Sequence, residues 1–121
     1  MLTISQRTIS VILLYLYMKN IRFHYLYRDG ANYKNFNSII LINDLKMRFL
    51  EIDGLINSHL IAGSYFYANE WRLPDLHFGT WDNEFDHNFH EFECIENTDD
   101  ISEQVFLLSE FKALLEQTNL M

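Results

Sequence analysis

WDNEFDHNFHEFECIE, residues 81–96, is the stretch whose reading decides the fold. It holds one Trp, three Phe, two His and six carboxylates in sixteen residues, so it is at once core material and a row of candidate ligands. Wound as a helix, it sets Phe85, Phe89, Phe92 and Ile95 in one stripe. His87, His90 and Glu91 then stand on one flank, a three-ligand facet for a divalent metal. Drawn out as a strand, it sets Phe85, His87, Phe89, Glu91 and Glu93 on one face. Asp86, Asn88, His90, Phe92 and Cys94 take the other, which separates the two histidines. The aromatic content, and the position between a turn at Gly79 and a helix start at Thr98, favour the strand. A bulge near His90 is expected to return Phe92 to the core side.

Strand geometry weakens the metal facet without removing it, because His77 or Asp82 can approach from elsewhere and Asp86 lies close in sequence. The local order is His-x-x-His-Glu, and no HExxH spacing stands behind it. No glycine-rich phosphate loop, GxSxG elbow or Cys/His catalytic signature occurs in the chain. A solvated acidic face is the commoner meaning of such a run.

Outward from this stretch, Asp100 and Glu103 stand at capping-box spacing before an apolar stripe of Ile101, Val105, Leu108 and Leu115, widened by Phe111 and Leu114. The spacing predicts a closing helix. Upstream, Pro74 forces Leu73 out of helical geometry, and Ser64–Ala68 reads as a short strand. Leu45, Phe49, Ile52, Ile56 and Leu60 mark one face of an amphipathic helix to about Ala62, with Asn43 or Asp44 as N-cap and Gly63 as C-cap. Ile21–Arg28 alternates cleanly, with Ile21, Phe23, Tyr25 and Tyr27 on one side and Arg22, His24, Leu26 and Arg28 on the other. Asp29-Gly30-Ala31-Asn32 is turn chemistry, with Gly30 free to take positive φ, and Phe36–Ile42 is the return strand of a hairpin. The expected fold is α+β, a two-layer sandwich with a mainly antiparallel sheet of 3–5 strands and two amphipathic helices on one face.

At 121 residues the chain makes one domain. The apolar run Ile9–Met18 is about half the ~20 residues a spanning helix needs. The clearly patterned region starts just after Met18, so residues 1–17 read as an N-terminal extension or an extra element packed on the domain, and 18–121 as the single α+β domain. The single cysteine, Cys94, excludes an internal disulfide framework and a Cys-based zinc site and suits a reducing cytoplasm. The net charge of −8 divides into +5 over residues 1–50 and −13 over residues 51–121. That acidic half disfavours nucleic acid.

Three segments, RFHYLYRDGANYKNF (22–36), YFYANEWRLPDLHF (65–78) and WDNEFDHNFHEFECIENT (81–98), together resemble a group of small uncharacterised bacterial proteins. The resemblance covers roughly residues 19–98 and implies a bacterial or phage-borne cytoplasmic protein, with members that begin near Met18. It supplies no reaction.

Two functional expectations follow from different classes. In the first, the protein docks on a macromolecular partner or on itself without catalysis, in an immunity, anti-defence or accessory role. Trp81, Asp82, Glu84, Glu91 and Glu93 then form the contact surface. In the second it is a metal-binding protein or a metal-dependent enzyme that holds a divalent metal on His87, His90 and Glu91. Arg22, His24 and Arg28, beside Tyr25 or Tyr33, are a further candidate set for an anionic ligand.

Overall fold

The computed structural model describes residues 5–7, 18–101 and 105–118. Most of the expected N-terminal extension and the Glu103 half of the expected capping box lie outside the described residues. The elements are β1 (Asn20–Arg28), β2 (Lys34–Ile42), α1 (Phe49–Ser58), β3 (Tyr65–Tyr67), β4 (Phe89–Thr98), β5 (Val105–Leu107) and α2 (Leu108–Thr118). They form one five-stranded mixed sheet in the order β3-β4-β1-β2-β5, antiparallel except where β5 runs parallel to β2. The α+β architecture is the expected one. No helix among the described residues is long and apolar enough to cross a membrane.

Alternation in β1 does what its pattern predicts. Ile21, Phe23, Tyr25 and Tyr27 are all buried on one face, against Ile39 and Leu41 of β2 and Phe66 of β3. Ile52 and Ile56 of α1 and Leu108, Phe111 and Leu115 of α2 cover this same face, so both helices lie on one side of the sheet. Phe23 sits at the centre, its ring 5.2–6.2 Å from those of Tyr25, Phe66, Trp71, Phe92 and Phe111. Tilted and edge-on ring contacts at such distances add to the area they bury.

Several local expectations are corrected. The first helix is shorter than 45–62: Leu45 and Phe49 are exposed, and the helix ends at Ser58. Glu51 accepts hydrogen bonds from the Arg48 backbone and guanidinium at its start. Asn43 folds the turn before it, accepting from Met47 N–H and donating to the Met47 and Lys19 carbonyls. Asp44 serves the other helix, accepting from the Ser109 N–H (3.0 Å) and hydroxyl in the first turn of α2. A carboxylate there meets the positive end of the helix.

The apolar run at 105–107 is a strand rather than helix. Ile40 and Ile42 of β2 offer an open edge, and Val105 and Leu107 pair with them; the helix begins only at Leu108. In the β1–β2 turn the positive φ belongs to Asn32, at 68°. Gly30 is needed for close approach, since a Cβ there would lie 2.6 Å from the Phe85 carbonyl oxygen.

The stretch 81–96 is half loop and half strand. Residues 81–88 form a turn-rich loop, and β4 starts at Phe89. His90 and Phe92 face the core by simple alternation, opposite Phe66 and Tyr25. The bulge lies at Glu93, three residues beyond the expected place, and it returns Ile95 to the core opposite Phe23.

Phe23→Ala should therefore lower the unfolding free energy by about 3–5 kcal/mol. Phe36→Ala, at a ring 59% exposed on β2, should change it by no more than about 0.5 kcal/mol. Urea denaturation of the two variants checks the contrast.

Candidate metal centre

β1 anchors two segments without regular structure around the site, and β4 supplies its third residue. Tyr25 and Tyr27 carry hydroxyls into the end of the core, where burial raises both pKa values and keeps the groups as donors. Tyr25 Oη donates to the Pro74 carbonyl at 2.6 Å and accepts from the Asn37 amide at 3.2 Å. The Asn35 amide donates to the Leu76 carbonyl at 3.1 Å. Tyr27 Oη donates to the His87 carbonyl at 2.7 Å. Pro74, having no N–H and an extended predecessor, lets the chain cross the sheet here, while Leu73 and Leu76 bury their side chains.

This crossing brings Asp75 and His77 beside His90 of β4, with one ligand atom from each inside a 4.8 Å circle. His77 Nδ1 and His90 Nε2 both face Asp75 Oδ1, at 2.7 and 3.4 Å. These distances bracket the roughly 3.3 Å that separates ligand atoms around a tetrahedral zinc with bonds near 2.0–2.1 Å. Of the remaining ring nitrogens, His77 Nε2 is buried with no hydrogen-bond partner among the described residues, while the His90 ring also meets the Asn88 backbone. An orphaned polar atom costs about 1–3 kcal/mol in a buried place.

Protonation states suit cation binding. Burial is the largest influence on His90, 1% exposed, and lowers its pKa from the ordinary 6.5, so the ring is neutral. Burial pushes the Asp75 carboxyl up. Hydrogen bonds from the His77 N–H and ring outweigh it and leave Asp75 below its ordinary value. An ionised carboxylate and a neutral imidazole are the forms that ligate. The three residues line a cleft of about 400 Å³, bordered also by Tyr67, Asn69, Glu70 and Asn88.

Of the expected ligands His87, His90 and Glu91, only His90 stands in this group. Glu91 points to the opposite face of the sheet, gripped by Arg28 through two bonds of 2.8 and 3.3 Å. His87 precedes the strand; its Nδ1 accepts from Phe89 N–H at 3.1 Å, and its ring lies 5.5 Å from Tyr27. Asp86 is occupied with loop closure, accepting from the Gly30 and Asp82 N–H groups. His77, named as able to approach from elsewhere, does so. Asp75 was missed. Its signal is the Asp-x-His spacing directly after a proline, which on an extended segment turns both side chains the same way.

The residues of the anion-binding set each meet an acid. Arg22 contacts Asp100 at 3.1 Å and Glu96 at 3.5 Å, His24 contacts Glu96 at 2.7 Å, and Arg28 holds Glu91. Their face is neutralised within the sheet. Trp81 is 45% exposed and Asp82 and Glu84 are exposed in the same loop, whereas Glu93 stands at the bulge of β4. The five residues of the expected contact surface are thus split between the loop and the far face of the sheet.

Comparison with protein-family models, curated proteins and solved structures returned no match.

Neutral burial of His90 predicts a pH dependence. Between the ordinary value of 6.5 and the lower folded value, the unfolded chain binds a proton that the folded chain refuses. Stability should therefore fall as pH drops below 6.5. Asp75 adds nothing in that window, because its contribution is lost only below the carboxylate range. Urea midpoints at about pH 7.5 and about pH 5.5 should differ more for the native chain than for His90→Gln. Equal differences would contradict the assignment.

Proposed function

We propose that this protein binds a divalent transition-metal ion through Asp75, His77 and His90 and leaves one side of the ion open to the cleft. The observation that carries the reading is the convergence of two imidazoles and a carboxylate, with one ligand atom from each within 4.8 Å of the others, on the wall of an open cleft. Imidazole donors select zinc, iron, cobalt or nickel over magnesium and calcium, which take oxygen ligands. Three protein ligands with an open fourth position are the arrangement of reactive rather than structural zinc sites. An ion held so would acidify a bound water and polarise a carbonyl or phosphoryl oxygen in the cleft. Zinc titration by calorimetry should give one site. Asp75→Asn or His77→Ala should weaken it by at least about tenfold, and His87→Ala should leave it unchanged. Loss of binding in His87→Ala, with Asp75→Asn unaffected, would sink the reading.

A second reading is supported by the loop itself. Trp81 and Phe85, 45% and 64% exposed, flank a cleft of about 500 Å³ that Asp29, Asp82 and Asp86 also line. Ionised carboxylates beside open aromatic faces suit a guanidinium or ammonium group. We propose docking of a basic protein segment there, in a bacterial cytoplasm whose reducing conditions keep the exposed Cys94 a thiol. Trp71 is buried, so fluorescence change on adding an arginine-rich peptide reports Trp81. The change should weaken with salt and vanish in Trp81→Ala; a salt-independent response would count against it.

A further inference from the structure

The ring of His90 has a second partner. Leu76 N–H donates to His90 Nε2 at 3.0 Å in a buried hydrogen bond. A neutral imidazole carries one lone pair, and this bond uses it. An ion at Nε2 takes that lone pair directly. An ion at Nδ1 requires the proton to sit on Nε2, which then confronts the Leu76 N–H donor to donor. Either way, the amide loses its acceptor.

We infer that metal occupancy and the Leu76–His90 hydrogen bond are mutually exclusive, so the Pro74–His77 segment is a clasp that an ion releases. The inference rests on the metal-binding reading above. The other tethers of the segment stay in place, because Tyr25 Oη holds the Pro74 carbonyl and Asn35 holds the Leu76 carbonyl. Release is accordingly a rotation of the Asp75–Leu76 peptide and its neighbours rather than unfolding. It has a route outward: Leu76 is 8% exposed against the core, and the His77 ring lies 5.2 Å from that of Trp81. Movement of the clasp therefore shifts Leu76 against the core and alters the seat of Trp81. Without metal, the same bond holds the two halves of the site together and shields the lone pair of His90.

The test is amide hydrogen exchange followed by NMR on the full chain, metal-free and zinc-saturated, with zinc binding measured separately by calorimetry. In the metal-free protein the Leu76 amide should be protected and show a scalar coupling to His90 Nε2 across the hydrogen bond. On zinc saturation the coupling should vanish and exchange at Leu76 should rise at least tenfold, while Phe23 and Ile39 amides in the sheet stay protected. In His77→Ala, at a zinc concentration that saturates the native chain, Leu76 should remain protected. Zinc binding that needs Asp75 and His77 but leaves the Leu76 coupling intact would overturn the clasp and spare the metal site. Absence of zinc binding would overturn both.

Discussion

Two buried hydroxyl groups on the central strand set the terms for everything beyond the sheet. Tyr25 and Tyr27 belong to the core face of β1, but a phenol buried without a partner forfeits much of what its ring contributes. The acceptors come from chain without regular structure, the Pro74 and His87 carbonyls. Holding those carbonyls fixes where residues 73–78 cross and where the 81–88 loop rejoins β4. Asparagines at 35 and 37, on the core-facing side of β2, complete the network where an apolar residue would leave it open. The candidate metal centre is a consequence: Asp75 and His77 follow the Pro74 carbonyl by one and three residues, and His90 follows the His87 carbonyl by three.

The far face of the sheet explains the uneven charge of the chain. Because β1 lies beside β4, the basic residues of the first half meet acids of the second: Arg22 and His24 with Glu96, and Arg28 with Glu91. Lys19 extends the pattern to Asp99 at 2.9 Å. Each partly exposed pair contributes about 0–1 kcal/mol. Their effect is to cancel charge across the strands and to commit Glu91 to a structural role. Acid outside these pairs stands in the 81–86 loop, where Asp82 and Glu84 are exposed.

Legibility followed the locality of the cause. The alternation of Ile21, Phe23, Tyr25 and Tyr27 is a property of neighbours, and it was enough to place β1, its face and the helical layer. The helix starts were misjudged because Asp44 caps a helix 65 residues away through Ser109. Strand β5 was hidden because Val105 falls on the helical stripe of Ile101, Leu108 and Leu115, and only the open edge of β2 decides between strand and helix there. The bulge was foreseen, but its place depends on which of Phe92 and Ile95 needs returning to the core. In the site, His90 was legible as a candidate ligand; of its companions, His77 was named only as able to approach from elsewhere and Asp75 was not named. They come from a segment placed by tyrosine hydroxyls, a cause with no local signature.

The most direct measurement is a crystal structure of zinc-soaked protein with anomalous scattering recorded on both sides of the zinc absorption edge. The account predicts one strong peak about 2.0–2.2 Å from an Asp75 oxygen and from one nitrogen each of His77 and His90. Its open side should face the cleft beside Glu70 and Asn88. A protein saturated with zinc in solution whose anomalous peak lies on His87, or on the Glu91 face of the sheet, would contradict it.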